Sequence, residues 1–248
     1  MATANPAMNE AVYRRAQSTD ITAQVMTIEG TVLKTTVLMV ILMITAVYAW
    51  SQATTGSPLA SILMIGGAIG GFIVALATIF LPKYSPITAP IYAALEGLFM
   101  GGISAAFEAS YHGIVIKAVG LSIGVLAMML FLYGTGIIRA TEKFKIGVVA
   151  ATGAICLVYV VSMVMSLFGK QVPLIHESGW VGIGFSLVVV VIAALNLILD
   201  FDFIERGVQL RAPKYMEWYG GFSLMVTLVW MYLEILRLLA KMQGRSRS

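Results

Sequence analysis

The stretch "WVGIGFSLVVVVIAALNLILDFDFIERG", residues 180–207, decides the fold. Its first twenty residues, Trp180 to Leu199, carry no charge. As a helix rising 1.5 Å per residue they extend about 30 Å, the thickness of a bilayer's hydrocarbon core. Three carboxylates follow within six positions: Asp200, Asp202 and Glu205. Two residues apart on a helix is about 200° of rotation, so Asp200 and Asp202 point to nearly opposite sides. Asn196 lies one turn before Asp200, making a polar stripe that runs back into the span. Asp202 and Glu205 share another face beside Arg206, the pattern of a solvated helix end. Asp200 is the inward candidate and Asp202 the runner-up.

The rest of the chain has the same character. Of 248 residues, 59% are hydrophobic and 11% charged, where a soluble domain carries about a quarter charged. The mean hydropathy is +0.91. These values predict an all-α polytopic membrane protein. Seven apolar runs appear, near 32–50, 59–81, 87–109, 114–138, 146–168, 180–203 and 216–239. They are too long and continuous for barrel strands. Pro90 is placed in the first turn of the third helix, where a missing N–H is tolerated. The expected organisation is an N-terminal segment, 1–30, a seven-helix domain, 31–240, and a basic tail, 241–248. The first thirty residues lack the apolar core of a signal peptide.

Lys and Arg in short connections set orientation. The loops after the second, fourth and sixth helices hold Lys83; Arg139, Lys143 and Lys145; and Arg206, Arg211 and Lys214. The opposite loops hold Lys117 and Lys170. With Arg14, Arg15 and Lys34 near the start, this predicts a cytoplasmic N-terminus. The tail residues Arg237, Lys241, Arg245 and Arg247 run against the rule. The net charge of +4 is explained by helix-end cations that touch lipid, so nucleic acid is not an expected partner. Glycines at small-xxx-small spacing, Gly66/Gly70, Gly67/Gly71, Gly97/Gly101 and Gly120/Gly124, predict close helix packing.

A charge inside a span is a functional candidate by default. Glu96 sits about 14 Å into the third helix, near mid-membrane. Glu234, late in the seventh, can pair with Arg237 three residues on. Glu108 ends the third helix, and Thr227 lies mid-way along the seventh. Enzyme constellations are missing from the sequence. Lys214 and Lys241 flank the last helix, which excludes a retinal lysine. His112 and His176 stand singly, and the lone Cys156 allows neither an intramolecular disulfide nor a thiolate cluster. No Gly-x-Ser-x-Gly elbow or Walker lysine is present. No enzyme activity and no resident cofactor are expected.

Three motifs in order, "APIYAALEGLFMGGISAAFE" (89–108), "LNLILDFDFIERG" (195–207) and "APKYMEWYGGFSLMVTLVWMYLEILRLL" (212–239), with Asn5-Pro6 near the start, resemble the Bax inhibitor-1 family, and a bacterial branch of it. The resemblance implies a bundle whose last helix is central, wrapped by the other six, in a bacterial cytoplasmic membrane. It implies a pH-sensitive Ca²⁺ leak gated by two aspartates that share a proton, one late in helix six and one in helix seven. Asp200 or Asp202 matches the first. The second place falls at Thr227, which cannot ionise, and Glu234 lies one to two turns further. The second helix also lacks the charged latch of some relatives. Glu96 is therefore the expected replacement. Two carboxylates close together in low dielectric cannot both ionise cheaply. Protonated, they close a bundle by hydrogen bonding. Deprotonated, they repel and offer hard oxygens to Ca²⁺ as transported ion. The expected group is Glu96 with Asp200. The competing expectation is a non-transporting regulator that docks on other membrane proteins.

Overall fold

The computed structural model of the protein describes residues 25–168 and 179–245. Asn5-Pro6, Arg14, Arg15, Lys170, His176 and Arg247 lie outside the described residues. Within them the chain forms seven helices: α1 (Ile28–Thr54), α2 (Leu59–Phe80), α3 (Ser85–Ser110), α4 (Ile114–Gly134), α5 (Glu142–Leu167), α6 (Trp180–Gln209) and α7 (Met216–Arg245). A 3-10 turn, Pro82–Tyr84, leads into α3. All seven helices are long and apolar enough to cross a membrane. The protein is thus an all-α polytopic membrane protein.

Local chemistry explains where the helices start and stop. α1 begins at Ile28 because Thr27 caps it: the Thr27 hydroxyl accepts the Gly30 N–H at 2.9 Å. Glu29 in the first turn complements the helix dipole. α5 starts the same way, on Thr141 and Glu142. α3 begins at Ser85, earlier than the apolar run. That places Pro86 in the first turn and Pro90 in the second, a correction to the expected position of Pro90. α7 does not stop near 239. Ala240, Lys241, Met242 and Gln243 are good helix formers, and the helix ends on the basic residue Arg245.

The chain divides into two compact units. The described part of the first is 25–110 and 202–226, and of the second 111–168, 179–201 and 227–245. Helices α6 and α7 each contribute to both.

In the first unit α1 and α2 pack on α3. Contact is close because glycines face backbone. A Cβ on Gly97 would collide with the Leu42 carbonyl, and one on Gly101 with the Ala46 carbonyl. A Cβ on Gly67 would stand 2.6 Å from the Leu95 carbonyl oxygen. These are the small-residue seams expected from spacing. In the second unit Gly120 and Gly124 face open space, so their identical spacing serves no seam there.

The spans differ in how much they bury. In α2 only 17% of the apolar window is buried, and Ile62, Ile65, Ile69 and Phe72 are exposed. Such a face is stable against lipid tails, which are as apolar as the side chains. In α7 the buried share is 56%, the largest of the seven.

Candidate functional site

Buried polar groups, above all carboxylates, are the informative features of a membrane helix. In the second unit α6 places Asp200 at 0% exposure and Asn196 at 7%. The Asn196 amide donates to the Thr152 hydroxyl of α5 and to the Ile192 carbonyl, both at 2.8 Å. The stripe read from the sequence is therefore a buried polar track along α6, tied to α5. Asp202, two residues on, belongs to the first unit and is different in kind. It is half-buried and pairs with Arg206 at 2.9 Å. Glu205 is exposed and accepts from Gln209 at 3.2 Å.

The second unit also holds Glu234 of α7, at 1% exposure. Its Oε1 accepts the Tyr159 hydroxyl at 2.7 Å and an Arg237 N–H at 2.6 Å. The Arg237 guanidinium lies over the Tyr159 ring, 5.5 Å from its centroid. The Arg237 pairing was legible from three-residue spacing. Tyr159 was not, because it comes from α5 and only packing brings it there. The Glu234 Oε2 is buried and has no hydrogen-bond partner. Thr227 of the same helix is buried at 8%.

In the first unit Glu96 of α3 is half-buried. The Tyr92 phenol, one turn before it, faces its carboxyl group. Across the helix contact its Oε2 abuts Gly71 of α2, where an added Cβ would stand 3.1 Å away. Tyr92 also meets Phe222 of α7 edge-on, with centroids 5.0 Å apart. Glu108 is half-buried near the end of α3. Glu96 and Asp200, the expected group, belong to the first and second unit respectively.

Sequence reasoning missed one acid. Glu217, in the first turn of α7, is fully buried. Its Oε1 accepts the Thr27 backbone N–H at 3.1 Å and the Thr27 hydroxyl at 3.0 Å. The same oxygen pairs with the Lys214 ammonium at 3.1 Å. The carboxylate occupies the space a side chain would need at Gly30. Met26 N–H donates to the Ala212 carbonyl at 2.7 Å beside it. An acid in the first turn of a helix was the available signal. It marks a favourable dipole position, not a contact with a residue 190 positions away.

Among the described residues, no group of three or more His, Cys, Asp and Glu side chains is arranged to hold a metal ion. Each site offers a carboxyl group, buried at Asp200, Glu217 and Glu234 and half-buried at Glu96, whose oxygens can accept hydrogen bonds or carry a proton.

A family model described as Bax inhibitor 1 like matches residues 5–244, nearly the whole chain. No curated protein and no solved structure matches it.

Proposed function

The chain belongs to the Bax inhibitor 1 like family, and from that premise we propose that it is a pH-sensitive leak pathway for cations, Ca²⁺ foremost, gated by carboxylates inside the membrane. It catalyses no reaction. Its place is a bacterial cytoplasmic membrane, with the N-terminus on the cytoplasmic side, as the loop cations favour.

The observation that carries this reading is the complete burial of Asp200 in a membrane helix, on the same track as Asn196. An ionisable group in that setting is expensive and is usually kept for ion or proton movement. Glu96, near the middle of α3, supplies a second oxygen donor in the first unit. Hard oxygens of this type suit Ca²⁺ over softer cations. Deprotonation adds negative charge to the track and draws cations, so flux rises with pH.

The test is reconstitution into liposomes loaded with a calcium dye. Wild type, Glu96→Gln and Asp200→Asn are compared between acidic and mildly alkaline pH. A leak that rises with pH in wild type and loses that dependence in the variants supports the proposal. Identical, pH-independent traces in all three would sink it.

One observation favours a second reading. The buried position expected to hold the helix-seven aspartate is Thr227, which does not titrate. A non-transporting regulator that docks on other membrane proteins needs no such acid. Crosslinking in native membranes separates the two: a stoichiometric partner together with zero flux selects the regulator.

A further inference from the structure

Asn196 of α6 lies in the second unit, as do Val148 and Thr152 of α5 and Ile192 and Asp200 of α6. A primary amide has two hydrogens to give. Asn196 gives them to the Thr152 hydroxyl and the Ile192 carbonyl, both at 2.8 Å. What those two partners can do fixes which way the amide is turned. The Ile192 carbonyl only accepts. The Thr152 hydroxyl has one proton and donates it to the Val148 carbonyl at 2.9 Å, so its oxygen is left to accept. A flipped amide would set oxygen against oxygen at both places. Asn196 therefore spends both of its donors, and among the described residues nothing donates to its carbonyl oxygen Oδ1.

This is the reverse of the arrangement that would satisfy the neighbouring acid. Asp200 lies one turn further along the same face of α6. An amide kept only to satisfy a buried carboxylate would turn its NH₂ toward it. Here the NH₂ is held by α5 and by the preceding turn of α6, so Asn196 adds an acceptor to the polar track and not a donor. Asn196 keeps 7% exposure, and Oδ1 is not sealed inside the protein. Asparagine carbonyls are hard-oxygen ligands of the kind Ca²⁺ takes. One such oxygen near one carboxylate, with water completing the shell, holds an ion loosely enough to release it, as conduction requires.

We propose that Thr152 is a positioning residue: it holds the Asn196 amide so that Oδ1 serves as a ligand for a divalent cation on the track shared with Asp200. The inference rests on the leak reading for the movement of that cation. It deepens that reading by naming the neutral oxygen that meets the ion and the hydroxyl that aims it.

The experiment exploits the scarcity of asparagine. Asn5, Asn9 and Asn196 are the only ones in the chain, so the full chain labelled with ¹³C,¹⁵N-asparagine gives few side-chain amide signals, and Asn196→Leu identifies the one in the span. The labelled protein in non-ionic detergent is titrated with CaCl₂, and Ca²⁺ flux is measured on the same proteins in dye-loaded liposomes. In wild type the Asn196 Cγ resonance moves with Ca²⁺. Thr152→Val raises both the midpoint of that shift and the Ca²⁺ concentration for half-maximal flux by about tenfold, the usual effect of removing the partner that orients a ligand. Thr152→Ser keeps the hydroxyl and restores the wild-type values, which a merely structural loss would not allow. Thermal unfolding confirms that each variant is folded, and Thr152→Ala takes the place of Thr152→Val if the latter is not. A Cγ resonance that Ca²⁺ leaves unmoved in a leaking wild type overturns the oxygen site and spares the leak. A Cγ shift without any wild-type flux overturns the leak and supports the site. An unchanged midpoint in the folded variant lacking the hydroxyl overturns the role of Thr152.

Discussion

The Tyr159 hydroxyl donates to the Glu234 carboxylate at 2.7 Å, joining α5 to α7 inside the second unit. The same oxygen accepts from Arg237 at 2.6 Å. A buried charge is thereby given a counter-charge and a neutral donor. Tyr159→Phe removes only the donor. The expected loss lies between about 0.6 and 2 kcal/mol, spanning typical membrane hydrogen bonds and charge-assisted ones. In a double-mutant cycle with Glu234→Gln the two effects are less than additive, because both act on one contact. Thermal unfolding in detergent measures this, and strict additivity would show that the bond contributes nothing.

Glycine pairs of identical spacing have opposite consequences. Gly97→Ala and Gly101→Ala drive a methyl into the α1 backbone at Leu42 and Ala46. Overpacking of this kind costs about 1–3 kcal/mol, and more where backbone must move. Gly120→Ala and Gly124→Ala meet nothing within 4 Å and are neutral or slightly stabilising, as Ala is the better helix former. Melting temperatures of the four variants provide the comparison. A loss at Gly120 as large as at Gly97 would contradict the packing described.

The Glu217–Thr27 contact makes a prediction about local opening. Glu217→Ala removes the acceptor of the Thr27 N–H, so amide exchange over residues 26–30 accelerates by about ten- to a hundredfold, matching about 1–3 kcal/mol for a buried group left unsatisfied. Glu217→Gln keeps a carbonyl oxygen in place and retains most of the protection. The Lys214 pair is a minor term, since Lys214 is 46% exposed. Equal exchange in the two variants would show that the hydrogen bonds are not what holds the start of α1.

Asp200 and Asp202 are separable in one flux assay. Asp200 is fully buried, whereas Asp202 is partly exposed and paired with Arg206. Asp200→Asn is expected to remove the pH dependence of calcium leak. Asp202→Asn is expected to leave flux within about twofold, because exposed ion pairs contribute under about 1 kcal/mol. The reverse ranking would assign the gate to Asp202.

Much of this protein is legible along one dimension. An uncharged run of twenty residues can be satisfied in only one way within hydrocarbon, by closing its own backbone hydrogen bonds as a helix. Hence the number of spans and their type follow from hydropathy. The division of Asp200 from Asp202 and the Glu234–Arg237 pair are also local, because helical periodicity fixes which near neighbours share a face. Helix ends were less legible: Thr27 moves the start of α1 outward, and nothing in 240–245 stops α7.

The tertiary structure alone decided what meets across helices. Spacing makes Gly97/Gly101 and Gly120/Gly124 equivalent, yet only the first pair has a backbone laid against it. Tyr159 looks like any aromatic in an apolar run until α5 and α7 pack. Glu217 looks like an ordinary first-turn acid until Thr27 arrives from the start of α1. In each case the partner is far away in sequence, and no local periodicity encodes the encounter. The sequence by itself determined the solvent, the helices and the faces they present. The pairing of those faces is a property of packing, in which small residues and buried hydrogen bonds select one arrangement of helices because lipid gives them no hydrophobic reason to prefer any other.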